Sequence, residues 1–356
     1  MADERADSDR GRRGSRDVPL PSPRGPVSEA VLDAFRRPLG PVLVPALDVD
    51  DVLADDDVQL ALTCSYELHY RSFAGVDPEW EWAPALLDLR RRLEQAVMQA
   101  LVDLVGPPPR LHPRDVVPVL EGLAATDTGP SLSAWLLASG TREHMRELCV
   151  HRSAYQLKEA DPHTWTIPRL RGRAKTAMVE IQRDEYGSGD ADAMHAELFA
   201  TTMRALALDS SYGAYLDVIP GPTLATVNLV TMLGLHRRWR GAAVGHLTLF
   251  EMTSVVPMGR YSAFLARLGV DDAARRFYDA HVEVDARHEQ IALHAMADGF
   301  ARDEPEHAGD VVFGARALVA VEHRFTDAVL GAWTAGSSSL LRPLPSEWDA
   351  RAVSSE

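Results

Sequence analysis

Residues 277–296 read Phe-Tyr-Asp-Ala-His-Val-Glu-Val-Asp-Ala-Arg-His-Glu-Gln-Ile-Ala-Leu-His-Ala-Met, or FYDAHVEVDARHEQIALHAM. At roughly 100° per residue, steps of four and seven from His281 bring Asp285 and His288 back to within about a third of a turn of one direction. Val282, Val284, Ile291 and Leu293 supply apolar neighbours. The stretch belongs to a longer helical pattern from Asp271 to Gly299 and has no strand-like alternation. Spacing alone leaves two readings open. The stripe is either the solvated polar face of a helix or one wall of a metal site.

Working outward, helical periodicity dominates. Ala83 to Val105 carries apolar positions at three- and four-residue intervals and ends at Gly-Pro-Pro-Pro. Further helices are expected after Asp115 and after Pro130, then from Thr141 to Glu159, Pro168 to Glu185, Ala191 to Leu208 and Thr223 to Leu235. Others run from Ala242 to Val256, Met258 to Leu268 and Asp310 to Thr334. Only PVLVPAL, from Pro41, looks like a strand. The expected class is therefore all-α, a helical bundle preceded by a smaller helical domain. The division is a disordered tail at 1–27, a helical domain at 28–140, a bundle at 141–342 and a tail at 343–356. The first 27 residues are charged, rich in Pro, Gly and Ser, and poor in large apolar side chains.

Composition excludes several functions. With 37 Lys+Arg against 52 Asp+Glu, the formal charge of −15 repels phosphates and anionic lipid, so neither nucleic acid nor membrane is an expected partner. Cys64 and Cys149 stand far apart and without metal-ligand spacing, which suits buried thiols in a reducing compartment. The N-terminus lacks the apolar core of a signal peptide, and a cytoplasmic location is expected.

More ligand-type residues occur on helices that could face the His281 stripe. Glu251 lies in an apolar helix that Pro257 is expected to end, and a buried carboxylate there needs a cation. His195 opens one helical segment, Glu185 ends another, and Glu159 ends a third. Each has a plain alternative: Glu185 could cap a helix, His195 could be a satisfied core imidazole, and Glu159 could pair with Lys158 or Arg152. Together they make three imidazoles and four carboxylates, a mixture suited to iron or manganese rather than structural zinc or calcium. Seven ligands exceed the needs of one ion and suit two ions bridged by carboxylate, although the spacing is not the Glu-x-x-His pair of ferritin-like bundles. Asp192, three residues before His195, is an alternative ligand. Glu67, His69, His246, Tyr155, Tyr212, Tyr215 and Trp165 have structural explanations that are preferred to functional ones, and a solvated helix end explains Arg237, Arg238 and Arg240 as well as attraction of a substrate carboxylate does.

The order Glu159, Glu185, His195, Glu251, His281, Asp285, His288, with KEADPHTW, DEYGSG, MHAELF, LHRRWRGA and GHLTLFEMTS around it, resembles the haem-oxygenase-like diiron oxidases. The similarity covers about residues 140 to 340. It is to the carboxylate-rich N-oxygenating branch, which includes the central domain of the streptozotocin-forming N-nitrosating enzyme and hydroxylases of amino-acid nitrogen. The segment with SYELHYRSFAGVDPEWEW is similar to the helical domain that precedes the oxidase domain there.

The resemblance implies two non-haem Fe(II) ions, O₂ as co-substrate and all seven residues as ligands. One iron would draw on Glu159, His281 and Asp285, the other on Glu185, His195 and His288, with Glu251 bridging or shared. It implies N-oxygenation of an amino acid or amine in specialised-metabolite biosynthesis. No cupin follows the bundle, so rearrangement to an N-nitroso product is not expected. The chain carries no flavin or nicotinamide fingerprint, so an external electron donor is required. A homodimer through the N-terminal helices is implied as well. The rival readings are a diiron decarboxylase, C–C lyase or desaturase on the same scaffold, and a non-catalytic helical module that binds a cofactor.

Overall fold

The computed structural model describes residues 18–43 and 45–344, except for the side chains of Asp285 and Ala286. Expectations for residues 1–17 and 345–356, and for Asp285 as a ligand, lie outside the described residues. Among the described residues the chain is all-α. Its helices are α1 (Pro26–Phe35), α2 (Asp56–Glu67), α3 (Pro84–Val105), α4 (Val116–Thr126), α5 (Leu132–Ser139), α6 (Arg142–Gln156) and α7 (Asp161–Thr164). They continue with α8 (Gly172–Glu185), α9 (His195–Ala205), α10 (Gly221–Leu235), α11 (Arg240–Arg267), α12 (Asp272–Gln290), α13 (Asp298–Asp303) and α14 (Ala308–Thr334). Several starts are encoded locally. Asp55, Ser131 and Asp271 each accept a hydrogen bond from the backbone N–H three residues on, and Thr141 with His144 forms a capping box.

The long α11 packs against α14 and α12. Its contact with α14 is backbone to backbone, since a Cβ at Gly245 would collide with the Val311 carbonyl and one at Gly314 with that of Ala242. One apolar core joins the early and late helices: Val31, Leu60, Leu89, Phe199, Leu233, Phe264, Phe277 and Phe325 all belong to it. A second core beneath α8 gathers Met178, Ile181, Val244, Leu293, Phe300 and Val311. The candidate donors lie on or at the ends of helices that build these two cores.

Three local expectations are corrected. PVLVPAL gives no strand among its described residues: 41–43 and 45–47 have no regular structure and Leu43 is exposed, and no partner strand occurs among the described residues to satisfy the backbone. Pro257 does not end its helix, and α11 runs through it. Proline removes one N–H, but Thr253, whose carbonyl is left without that donor, is itself exposed, so water can reach it. Residues 18–27 are packed rather than free. Val18 is buried and its carbonyl accepts from the Ala74 N–H, while Asp57 on α2 accepts from the Val27 and Ser28 N–H groups at 2.8 and 2.6 Å. The first turn of α1 is thus capped from another helix, which composition cannot reveal.

Candidate metal centre

Glu159 stands just beyond the end of α6, where Ala160 adopts φ +76 and turns the chain into α7. Glu185 is the last residue of α8, and His195 the first of α9. Glu251 lies within α11, and His281 and His288 project from α12. All six are buried. They form two donor groups: Glu159, Glu185, His195 and His281 place one donor atom each within 4.8 Å of one another, and so do Glu185, Glu251 and His288. Glu185 belongs to both.

The imidazoles are oriented by what holds their other nitrogen. His281 Nδ1 lies 2.7 Å from the Phe277 carbonyl oxygen and donates to it. That fixes the tautomer and leaves Nε2 as a lone pair 3.7 Å from a Glu159 oxygen. His288 donates from Nε2 to Asp184 at 3.1 Å, so Nδ1 faces Glu251 at 3.5 Å and Glu185 at 3.9 Å. The His195 ring stands 4.3 Å from that of His281, and its Nδ1 is 2.7 Å from Glu185 Oε2. That pair is close but not aligned as a hydrogen bond, and both atoms, with Glu159 Oε2, are buried without a hydrogen-bond partner.

Donor atoms of both kinds therefore converge on shared space. Burying three carboxylates together is costly unless positive charge, from a protonated imidazole or a bound cation, completes the arrangement. Nitrogen and carboxylate donors without thiolate suit iron. The residues present fit such an ion. Burial would push the Glu185 carboxyl up, but His195, His281 and His288 around it hold it below its ordinary value. Burial would lower His288, yet Glu251, Asp184 and Glu185 outweigh it and raise the imidazole to about 9. Burial, with Glu159, Glu185 and Glu251 nearby, keeps the Tyr155 phenol protonated well above its usual range.

The expected division of ligands differs from this geometry. Glu185, rather than Glu251, is common to both groups, and His195 stands with His281 rather than with His288. The reason is that Glu185, at the end of α8, stands 2.7 Å from His195 and 3.9 Å from His288, a placement that residue spacing does not carry. Asp192 lies in a 3₁₀ turn at Ala191–Ala193, is exposed and joins neither group, because α9 starts only at His195 and the two do not share a helix face.

Asp184 was not anticipated. It accepts a hydrogen bond from His288 Nε2 and is itself held by Ser188 Oγ at 2.7 Å and by Arg287. The adjacent Asp-Glu pair at a helix end was the available signal, since two neighbours at the last turn can serve an imidazole and an ion separately. A π-helical turn at Ile291–Ala297 follows α12 directly and was equally unforeseen.

The other residues considered have structural partners. Glu67 binds Lys158 and Tyr212, His69 lies between Glu81 and Arg90, and Arg240 pairs with Glu304. His246 faces His163 at 3.2 Å, and Trp165 packs near Tyr70. Tyr155 does line the donor cavity, with Glu159, Glu185, Glu251 and His281. No helix among the described residues is long and apolar enough to cross a membrane.

No curated protein matches the chain. The profile of a family described as iron-containing redox enzyme matches residues 146–323, half of the chain, and spans every donor from Glu159 to His288. With that match, a helical bundle and buried histidine–carboxylate groups at its centre, the chain belongs to the haem-oxygenase-like family of iron-containing redox enzymes.

Proposed function

We propose that the chain is an O₂-dependent diiron oxidase that oxygenates nitrogen in an amino acid or amine of specialised metabolism. The observation that supports two ions rather than one is the sharing of Glu185 between two donor groups, one with two further imidazoles and one with His288. Bound ferrous iron supplies electrons and open coordination positions for dioxygen. The chain's own residues do the rest. Phe277 and Asp184 fix the tautomers of His281 and His288, and the protonated Tyr155 offers an O–H at the cavity wall. Asp285, on the same stripe, is proposed as a further ligand of the His281 side. Preference for nitrogen rests on the resemblance to the carboxylate-rich branch, in which the extra carboxylate is Glu185. An external electron donor, a cytoplasmic setting and a homodimer belong to the same reading.

Anaerobic loading with Fe(II) should give about two iron ions per chain, as carboxylate-bridged bundles hold. Turnover with a panel of amino acids and amines under ¹⁸O₂ should then give a product with an intact carbon skeleton and labelled oxygen on nitrogen. A shortened skeleton or an unlabelled alkene would assign the chain to C–C cleavage or desaturation instead. Haem absorption without non-haem iron would overturn the oxidase reading altogether.

A further inference from the structure

A cleft of about 2100 Å³, counting its open mouth, runs between α5, α6, α11 and α14. It shares Tyr155, Phe250 and Ser254 with the donor cavity, and these wall residues lie within one helical turn of Glu159 or Glu251. Much of the lining is apolar, including Leu249, Met252, Val256 and Leu318. Into it face the paired side chains of Arg152 and Glu322, 22% and 24% exposed. They bond in bidentate fashion at 2.9 and 2.7 Å, and the Arg152 guanidinium is braced over the Phe325 ring at 4.5 Å. Both are held ionised: burial disfavours either charge alone, but each partner's charge outweighs it. The other charged groups of the cleft are the Asp127–His323 pair, Arg260 and Glu289.

A balanced ion pair in an apolar cleft selects its ligand. A lone carboxylate or a lone amine that displaced one partner would leave the other charge unmatched, which is strongly unfavourable. A ligand carrying both charges matches both. Resting on the amino-acid reading above, we propose that Arg152 and Glu322 form the head-group anchor for a zwitterionic α-amino acid, the guanidinium taking its α-carboxylate and Glu322 its ammonium. Arg152 and Tyr155 lie on α6 and Glu159 just beyond its end, so the anchor stands on the order of 10 Å from Glu159, counting about 1.5 Å per residue. That leaves the side chain, not the α-nitrogen, to reach the donor groups.

The test uses iron-free full-length protein and calorimetry with the twenty proteinogenic L-amino acids, followed by the methyl ester and the N-acetyl derivative of any binder. Each derivative removes one charge and should weaken binding at least about 10-fold, the cost of a charged hydrogen bond left unmade. The Arg152→Gln/Glu322→Gln variant removes both charges together, avoiding an unpaired one, and should lose amino-acid binding while taking up Fe(II) as the wild type does. Equal affinity for the ester and the free acid, unchanged affinity in the double variant, or no binder in the panel would overturn the anchor. Because iron content is measured separately, a protein that binds zwitterions but not iron would refute the diiron reading and leave the anchor standing.

Discussion

The donors carried on helix faces and those carried at helix ends are built differently. His281, His288 and Glu251 sit inside α12 and α11, where the helical period aims them and packing of α11 on α12 sets their separation. Glu159, Glu185 and His195 stand where α6 and α8 stop and α9 begins, and their positions depend on turns such as Ala160 and on the contacts of those turns. Face-borne donors are preformed by local hydrogen bonding. End-borne donors have fewer helical constraints, so bound metal contributes more to ordering them.

The comparison breaks most sharply at Glu185, the end-borne residue common to both groups. Glu185→Ala should abolish retention of both ions, with a loss of affinity beyond the roughly 10–100-fold that outer-shell changes cost. Glu251→Ala, which touches only the group with His288, should retain one ion. Iron analysis after desalting checks both, and equal losses would remove the distinction.

Next in size is Asp184→Asn, which keeps the shape but weakens the grip on His288 Nε2 and should lower metal affinity about 10–100-fold. An anaerobic Fe(II) titration reads this. An unchanged affinity would mean that helix geometry alone orients the imidazole.

Ala160→Gly relieves a left-handed φ and should raise stability by about 1 kcal/mol, seen as a Tm increase of about 2 °C. The same change should loosen Glu159 and weaken iron binding in the group with His281. Such opposite signs in stability and affinity are expected of an end-borne donor.

A separate test is the acid sensitivity of the helix that leads to Glu159. His151 on α6 is buried between Thr223 and Ser339, and burial pushes its imidazole down to about 3 from 6.5. The unfolded chain therefore binds a proton that the folded chain refuses. Stability is full above about 6.5 and falls with pH toward 3, by at most about 1.4 kcal/mol per unit from this residue. Melting from pH 7 to pH 4 should decline less steeply in His151→Gln, and parallel curves would argue against the assignment.

The same contrast explains what could be read before the fold was known. The His281–His288 stripe was legible because helical direction depends on a few consecutive residues. The helices around Leu93, Leu229 and Val321 were legible for the same reason. Val18 was not, since one apolar residue in a polar stretch gives no periodicity, and its burial depends on Ala74 and on the packing beside Gly213. Pro257 misled because the local cost of proline is offset by exposure to water, a property of the assembled surface. Asp184 went unnoticed because its partner, His288, is 104 residues away.

By itself the sequence determined an all-helical chain, an inventory of imidazoles and carboxylates, and their order along it. Backbone hydrogen bonding over three or four residues and the side-chain period it imposes are local, so those features follow from neighbouring residues. Only the tertiary structure decided that Glu185 joins the two donor groups, that Phe277 and Asp184 set the tautomers, and that the cleft beside Tyr155 holds a balanced ion pair. Those relations depend on which helix ends and faces the two apolar cores bring into contact, and that choice is made by packing across the whole chain.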